Sequence, residues 1–226
     1  MILRGFCFVL IGLSSVWSGK NENGYYSYTL DNFRNAEVFN ETVDISKPDY
    51  PRLNAVIFYL TNEVRNKKKL PLLQYEEKLE ECATLHSNSM VEYGFFDHIN
   101  PKSKKMRNPN DRARLVGIIN PYLAENIMET FVLQYKAGEP VFTGGKGIFR
   151  YKQDGDPIKP HTYLSLGEAL LDGWMNSTHH KENILSKNAV QLGCGTAFYL
   201  NKDFNEMPTV IATQNFQLYE PVRLDP

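Results

Sequence analysis

Apolar residues repeat with two different periods along the chain, and the change of period divides it. Leu53, Val56, Ile57, Leu60 and Val64 recur at intervals of three and four, one face of a helix. Lys67-Lys68-Lys69 suits the C-terminal end of that helix, where the dipole favours cations, and Pro71 ends it. A second stripe, Leu79, Cys82, Ala83, His86, Met90 and Tyr93, predicts a helix from about Glu76 to Tyr93, with acidic residues in its first turn and Gly94 as its stop. Ser165-Leu166-Gly167-Glu168 has the form of a capping box opening a helix whose inward stripe is Leu166, Ala169, Leu170, Gly173 and Trp174. In Val190 to Phe198 the period falls to two, with larger apolar residues alternating with small ones. Thr209 to Phe216 repeats that character after a polar loop around Asn201 to Asn205. Two such runs predict an antiparallel hairpin, and helices followed by a strand pair predict an α+β fold with helices covering a small antiparallel sheet.

The segments between these elements set the organisation. Arg4, the apolar run Gly5 to Leu13 and the serines that follow have the form of a secretory signal peptide over residues 1–18. The run is shorter than the ~20 residues a membrane-spanning helix needs. The expected product is therefore secreted or periplasmic, with no membrane span after signal cleavage. Residues 19–50 lack a sustained period and read as an extended N-terminal arm, punctuated by Lys47-Pro48-Asp49-Tyr50-Pro51. The domain occupies 51–219, with an irregular stretch from Asp97 to Asn120 and a Gly/Pro-rich loop insertion over 138–160. Residues 220–226 form a tail.

Composition narrows the function classes. With 25 basic and 26 acidic residues, the chain is not held to nucleic acid by bulk charge. The 13 Phe and 13 Tyr supply ample apolar surface for a folded core. Export would leave Cys82 and Cys194, which form either one disulfide or two buried free thiols. The chain has no H-E-x-x-H pair, no G-x-S-x-G elbow and no Walker loop.

Three short stretches bring chemistry-bearing side chains into the argument. They are Tyr93-Gly94-Phe95-Phe96-Asp97-His98, Ala124-Glu125-Asn126-Ile127, and Trp174-Met175-Asn176-Ser177-Thr178-His179-His180-Lys181-Glu182-Asn183-Ile184-Leu185. Together with Asn62-Glu63-Val64-Arg65, Leu192-Gly193-Cys194-Gly195 and Thr213-Gln214-Asn215-Phe216, in that order along the chain, they resemble the CAP superfamily. This family, also called the SCP domain, comprises cysteine-rich secretory, antigen 5 and pathogenesis-related 1 proteins. The chain is most similar to the short, cysteine-poor branch common in bacteria, and the resemblance runs from about Leu53 to Phe216.

The resemblance implies a three-layer α-β-α sandwich with His98, Glu125 and His180 lining a central cleft. Two imidazoles and a carboxylate in one hollow either hold a divalent ion such as zinc, with His98 and His180 as ligands and Glu125 as a third, or form a hydrogen-bonded proton network. Many members carry a second cleft glutamate three residues beyond the tryptophan; here that position is Ser177, as is common in the bacterial pattern, and it counts as a cleft residue. His179 stands where glycine is usual. His86 reads as a packed histidine with one hydrogen bond or as an accessory cleft group, and Glu168 as a cap. Family members bind lipids or sterols, act in defence or mediate cell–cell interaction, without one shared reaction. Three functions follow as expectations. The leading one is a non-enzymatic secreted protein whose cleft takes a metal, a small molecule or a lipid. The alternatives are a metal- or Ser177/His180-dependent extracellular hydrolase, with no catalytic residue firmly assigned, and a cell-surface module that engages a protein partner and has a vestigial cleft.

Overall fold

The computed structural model describes residues 24–144 and 148–219, so the signal peptide and the C-terminal tail read from the sequence lie outside the described residues. Two 3-10 turns, Tyr25–Ser27 and Phe33–Asn35, precede the short helix α1 (Glu37–Asn40) and the long helix α2 (Tyr50–Lys67). Strand β1 (Gln74–Tyr75), helix α3 (Glu77–Tyr93), helix α4 (Pro109–Leu115) and strand β2 (Leu123–Phe131) follow. Then come β3 (Phe142–Thr143), β4 (Phe149–Arg150), α5 (Tyr163–Asn176), α6 (Thr178–Ile184), β5 (Ala189–Asn201) and β6 (Met207–Leu218).

The main sheet has the order β1-β5-β6-β2, with β1 parallel to β5 and the other pairs antiparallel. Helices α3 and α4 cover one face, while α2, α5 and α6 cover the other, which is the three-layer α-β-α sandwich. The alternation in β5 divides its side chains between these layers. Leu192 and Cys194 join the main core with Leu60, Leu170 and Trp174, all fully buried. Gly193 and Gly195 face α3, and a Cβ on either would stand 2.0 Å from the Glu80 amide nitrogen or 2.1 Å from that of Thr84. Helix α3 therefore lies directly on the strand backbone, closer than any side chain permits. Ser87 fastens this contact, its hydroxyl donating to the Gly195 carbonyl at 2.9 Å and lying 2.8 Å from Thr213 Oγ1. On the other face Thr196 Oγ1 donates to Asn54 Oδ1 of α2 at 2.9 Å.

Several sequence expectations change. Within 19–50, the described residues from Gly24 onward do not form an extended arm. They coil, and Phe33 and Phe39 are fully buried in the main core, where Tyr59 stacks on Phe33 at 5.2 Å. Aromatic anchors at irregular spacing bury surface without leaving a periodic trace. Helix α5 begins at Tyr163, one turn before the capping box read from Ser165 and Glu168. Its box is Thr162 with Ser165, whose hydroxyl accepts from the Thr162 amide at 3.0 Å. Glu168 is thereby free of the cap and accepts from Arg34 Nη1 at 2.6 Å. The stretch from Asp97 to Asn120 contains α4, opened by a capping box of Asn108 and Asp111 with proline in the first turn. The 138–160 insertion holds the small β3–β4 hairpin, anchored by Leu133, Phe149, Ile158 and Met207.

Cys82 and Cys194 are free thiols, both fully buried, so the disulfide alternative is not realised. Burial pushes the Cys82 thiol up to about 12 and holds Cys194 well above the ordinary range.

Gly195→Ala forces its methyl group into the α3 backbone and should destabilise the protein by about 3 kcal/mol or more. Gly94→Ala, at φ 64 with open space around it, should cost only about 1 kcal/mol. Urea unfolding of both variants checks the order, and equal losses would contradict the close α3–β5 approach.

Candidate functional site

Three consecutive structural decisions create the site. Gly94, in the left-handed conformation, stops α3 and turns the chain away, so that His98 lies beyond the helix end. The Asn108–Asp111 cap starts α4 and puts Arg112 one turn in, with no exposure. The pleat of β2 places Glu125 on the α3 side of the sheet and Asn126 on the other, opposite Asn215 and Gln214 of β6 respectively.

Glu125 is the centre. Its side chain is 2% exposed, and Arg112 Nη2 donates to its two oxygens at 2.8 and 2.7 Å. His98 Nδ1 lies 2.9 Å from Glu125 Oε1. With its amide oriented to accept from the Ala83 N–H at 3.1 Å, Asn215 donates to Glu125 Oε2 at 3.0 Å. Burial alone would raise the Glu125 pKa, but the His98 hydrogen bond and the Arg112 charge outweigh it and hold the group below the usual carboxylate range. Glu125 is thus an anion, which only accepts. His98 Nδ1 therefore carries a proton, and when the ring is neutral Nε2 is left as a free acceptor on a side chain that is 44% exposed.

His86 on α3 stands behind this pair, fully buried, with Nε2 3.6 Å from Glu125 Oε1. Neither ring nitrogen has a well-aligned partner among the described residues, while the backbone of Asp97 stands close enough to act on the ring, so His86 is a packed histidine as one of the two sequence readings has it. Burial lowers its pKa to about 4 against the pull of Glu125, and the ring is neutral at pH 7.

On the other side of β2 lies α6. Asn183 Nδ2 donates to Asn126 Oδ1 at 2.8 Å, and Asn126 Nδ2 donates to the His180 carbonyl at 3.1 Å and to Gln214 Oε1 at 3.0 Å. Gln214 continues to Thr61 of α2 at 2.7 Å. This chain of amides holds the His180 backbone against β2. Burial, followed by the positive charges of His98 and His179, lowers the His180 pKa, and its buried Nδ1 has no partner among the described residues. His179 points outward, its side chain 93% exposed.

The residues expected to converge therefore meet in part. His98 and Glu125 are in direct contact, and His180 lies near enough for the His98 charge to depress its pKa. Ser177 stands at the junction of α5 and α6, but its hydroxyl makes no hydrogen bond to His180, and no carboxylate orients that ring. A Ser177–His180 hydrogen bond of the kind the hydrolase expectation needs is not formed among the described residues. Three-ligand metal binding does not fit either. The Glu125 oxygens are taken up by Arg112, His98 and Asn215, and no group of three or more His, Cys, Asp or Glu side chains able to hold a metal ion occurs among the described residues. Sequence reading missed Arg112, lost in a basic stretch; the signal that marks it is the Asn-Pro-Asn-Asp helix start, which turns an apparent loop into a helix with an inward face.

Arg112→Met leaves the Glu125 anion buried without its counter-charge and should cost about 3–5 kcal/mol in urea unfolding, more than Met of similar reach replaces by packing. The pH dependence has a definite sign. His86 has a folded pKa near 4, below its ordinary 6.5, so its contribution is complete above pH 6.5 and is lost as pH falls toward 4. Glu80, raised by burial to about 7, acts oppositely: its contribution is present below its ordinary 4.5 and fades as pH rises through 7. The clean measurement is a difference. Relative to His86→Leu, the wild type should lose unfolding midpoint between pH 6.5 and 4; parallel curves would rule out a neutral buried His86.

A family model for the cysteine-rich secretory protein family (CAP) matches residues 58–216. Among curated proteins, YkwD of Bacillus subtilis is 29% identical over 137 residues, covering 60% of this chain and 39% of YkwD. The membrane protein YlbC of the same bacterium is 27% identical over 139 residues, covering 62% of this chain and 30% of YlbC. The chain thus spans well under half the length of these relatives. Among solved structures, an extracellular SCP-domain protein from Bacillus anthracis shares the fold at a TM-score of 0.50 and 22% identity, covering 76% of this chain and 41% of that one. An outer surface protein of Borrelia burgdorferi gives 0.47 at 13% identity, covering 79% of this chain and 98% of that one. Together with the ordered motifs and the three-layer sandwich, the family match establishes that this chain belongs to the cysteine-rich secretory protein (CAP) family.

Proposed function

We propose that the protein is an exported, non-enzymatic CAP module whose cleft binds a small ligand between the imidazoles of His98 and His180. The observation that carries this reading is the Arg112–Glu125–His98 arrangement. A fully buried ion pair is spent on orienting one exposed imidazole, so that its outer nitrogen has a fixed direction and tautomer. His180, which burial and neighbouring positive charge keep in its neutral form, supplies the second imidazole. Two imidazoles suit a ligand that both donates and accepts hydrogen bonds, or a borderline divalent cation such as zinc held by the pair with water completing its shell. Glu125 acts through His98 and does not touch the ligand. Export is supported by the N-terminal run of residues 1–18 and by the extracellular B. anthracis protein of the same fold. No helix among the described residues is long and apolar enough to cross a membrane.

Zinc chloride is a suitable probe of the paired imidazoles. The melting temperature of the wild type should rise by a few degrees in excess zinc, and His98→Ala and His180→Ala should each abolish the rise while still folding. Glu125→Gln should weaken the response about 10- to 100-fold in apparent affinity, as loss of an orienting partner does. A wild type unmoved by zinc, or variants that respond as the wild type does, would contradict a shared site for the two rings.

A further inference from the structure

We infer that the segment from Phe96 to Arg107 is a docking surface for an anionic lipid bilayer. Phe96 and Ile99 hold their side chains in solvent at 48% and 41% exposure, on the turn that follows α3. Directly after them, Lys102, Lys104, Lys105 and Arg107 are exposed, and none makes an ion pair or side-chain hydrogen bond among the described residues. Four cations within six positions stand out on a chain whose net charge is −1. The acids on the stretch from Glu92 to Arg107 are Glu92 and Asp97, and Asp97 Oδ1 is occupied by the Ile99 amide at 2.7 Å.

The backbone beneath these side chains is fixed. The Asn100 amide donates to the Arg107 carbonyl at 2.7 Å, and the Lys102 amide donates to Asn100 Oδ1 at 2.8 Å. Arg112 Nη1 donates to the carbonyls of His98 and Met106 at 3.2 and 3.1 Å. The loop is thus held in shape by the same buried guanidinium that holds Glu125, and binding through it orders little new backbone.

An anionic bilayer accounts for both halves of the segment. Apolar side chains enter the interfacial layer while neighbouring lysines meet lipid phosphates. A soluble polyanion would engage the cations and leave Phe96 and Ile99 in water. The groove behind Tyr93 and Phe96, about 770 Å³ in volume, is also lined by Glu129 and Asp203. With Glu92 and Lys202 the groove carries three carboxylates against one cation, so the proposed patch stops at Phe96 and leaves out Leu200, which lines the same groove.

Vesicle co-sedimentation of the full chain tests the assignment. Vesicles containing about one-third phosphatidylglycerol should bind the protein at least about tenfold more strongly than pure phosphatidylcholine vesicles, a preference that an apolar leader does not produce. Lys102→Gln/Lys104→Gln/Lys105→Gln should reduce binding to the anionic vesicles on the order of 100-fold and flatten its salt dependence. Phe96→Ser/Ile99→Ser should reduce it about tenfold or more, and Leu200→Ser should bind as the wild type does. All these side chains are exposed, so melting temperatures should match the wild type. Equal binding to both vesicle types, or an unaffected lysine triple variant, would overturn the inference. So would full vesicle binding by Phe96→Ser/Ile99→Ser together with tight binding of inorganic polyphosphate, which would assign the loop to a soluble polyanion.

Discussion

Arg112 has no contact with solvent, and a guanidinium so placed must find its acceptors inside the protein. It finds them in two places at once: the carboxylate of Glu125 on β2, and the carbonyls of His98, Met106 and Arg107 at the two ends of one loop. A single side chain therefore neutralises the buried anion, fixes the loop that carries His98, and determines which nitrogen of that ring faces outward. The parts are not separable. Removing the carboxylate strands the cation, and removing the cation strands the carboxylate together with the carbonyls. All these bonds come from Nη1 and Nη2, and the buried Nε has no partner among the described residues.

The architecture around this pair rests on closeness rather than on bulk. Glycines at two facing positions of β5 let α3 settle onto the sheet backbone, which brings His86 and the Ala83 amide within reach of Glu125 and Asn215. On the reverse face, the amide chain from Thr61 through Gln214 and Asn126 to Asn183 joins α2, the sheet and α6. Neighbouring residues of one strand, Glu125 and Asn126, thus each engage one layer of helices, Glu125 through Arg112 of α4 and Asn126 through α6. The pleat of a single strand is what ties both the His98 loop and the backbone of the His180 helix to β2.

Elements with a clean period were legible from sequence almost to the residue. Helices α2 and α3 follow their apolar stripes, and the β5–β6 hairpin follows its alternation, including the small residues that turn out to face α3. Glu125 and His98 were legible through motif order, because the family resemblance names positions that no local pattern marks. What escaped shares one physical cause, which is dependence on partners far away in the chain. Strand β2 interleaves charge and amide with apolar residues, since its buried carboxylate has a guanidinium waiting 13 positions upstream. Arg112 looked like one cation among several until burial singled it out. The coil from Tyr25 to Val43 buries its aromatics against α2, and nothing in its spacing records the helix that receives them.

Cys82 and Cys194 are the only cysteines among the described residues, and both sit unbonded in the interior with their thiols held protonated. A thiol that neither ionises nor meets solvent is a poor nucleophile and a poor target for oxidants. The sandwich is therefore indifferent to the redox poise around it. Its described fold needs no oxidase or isomerase to form or sort a disulfide.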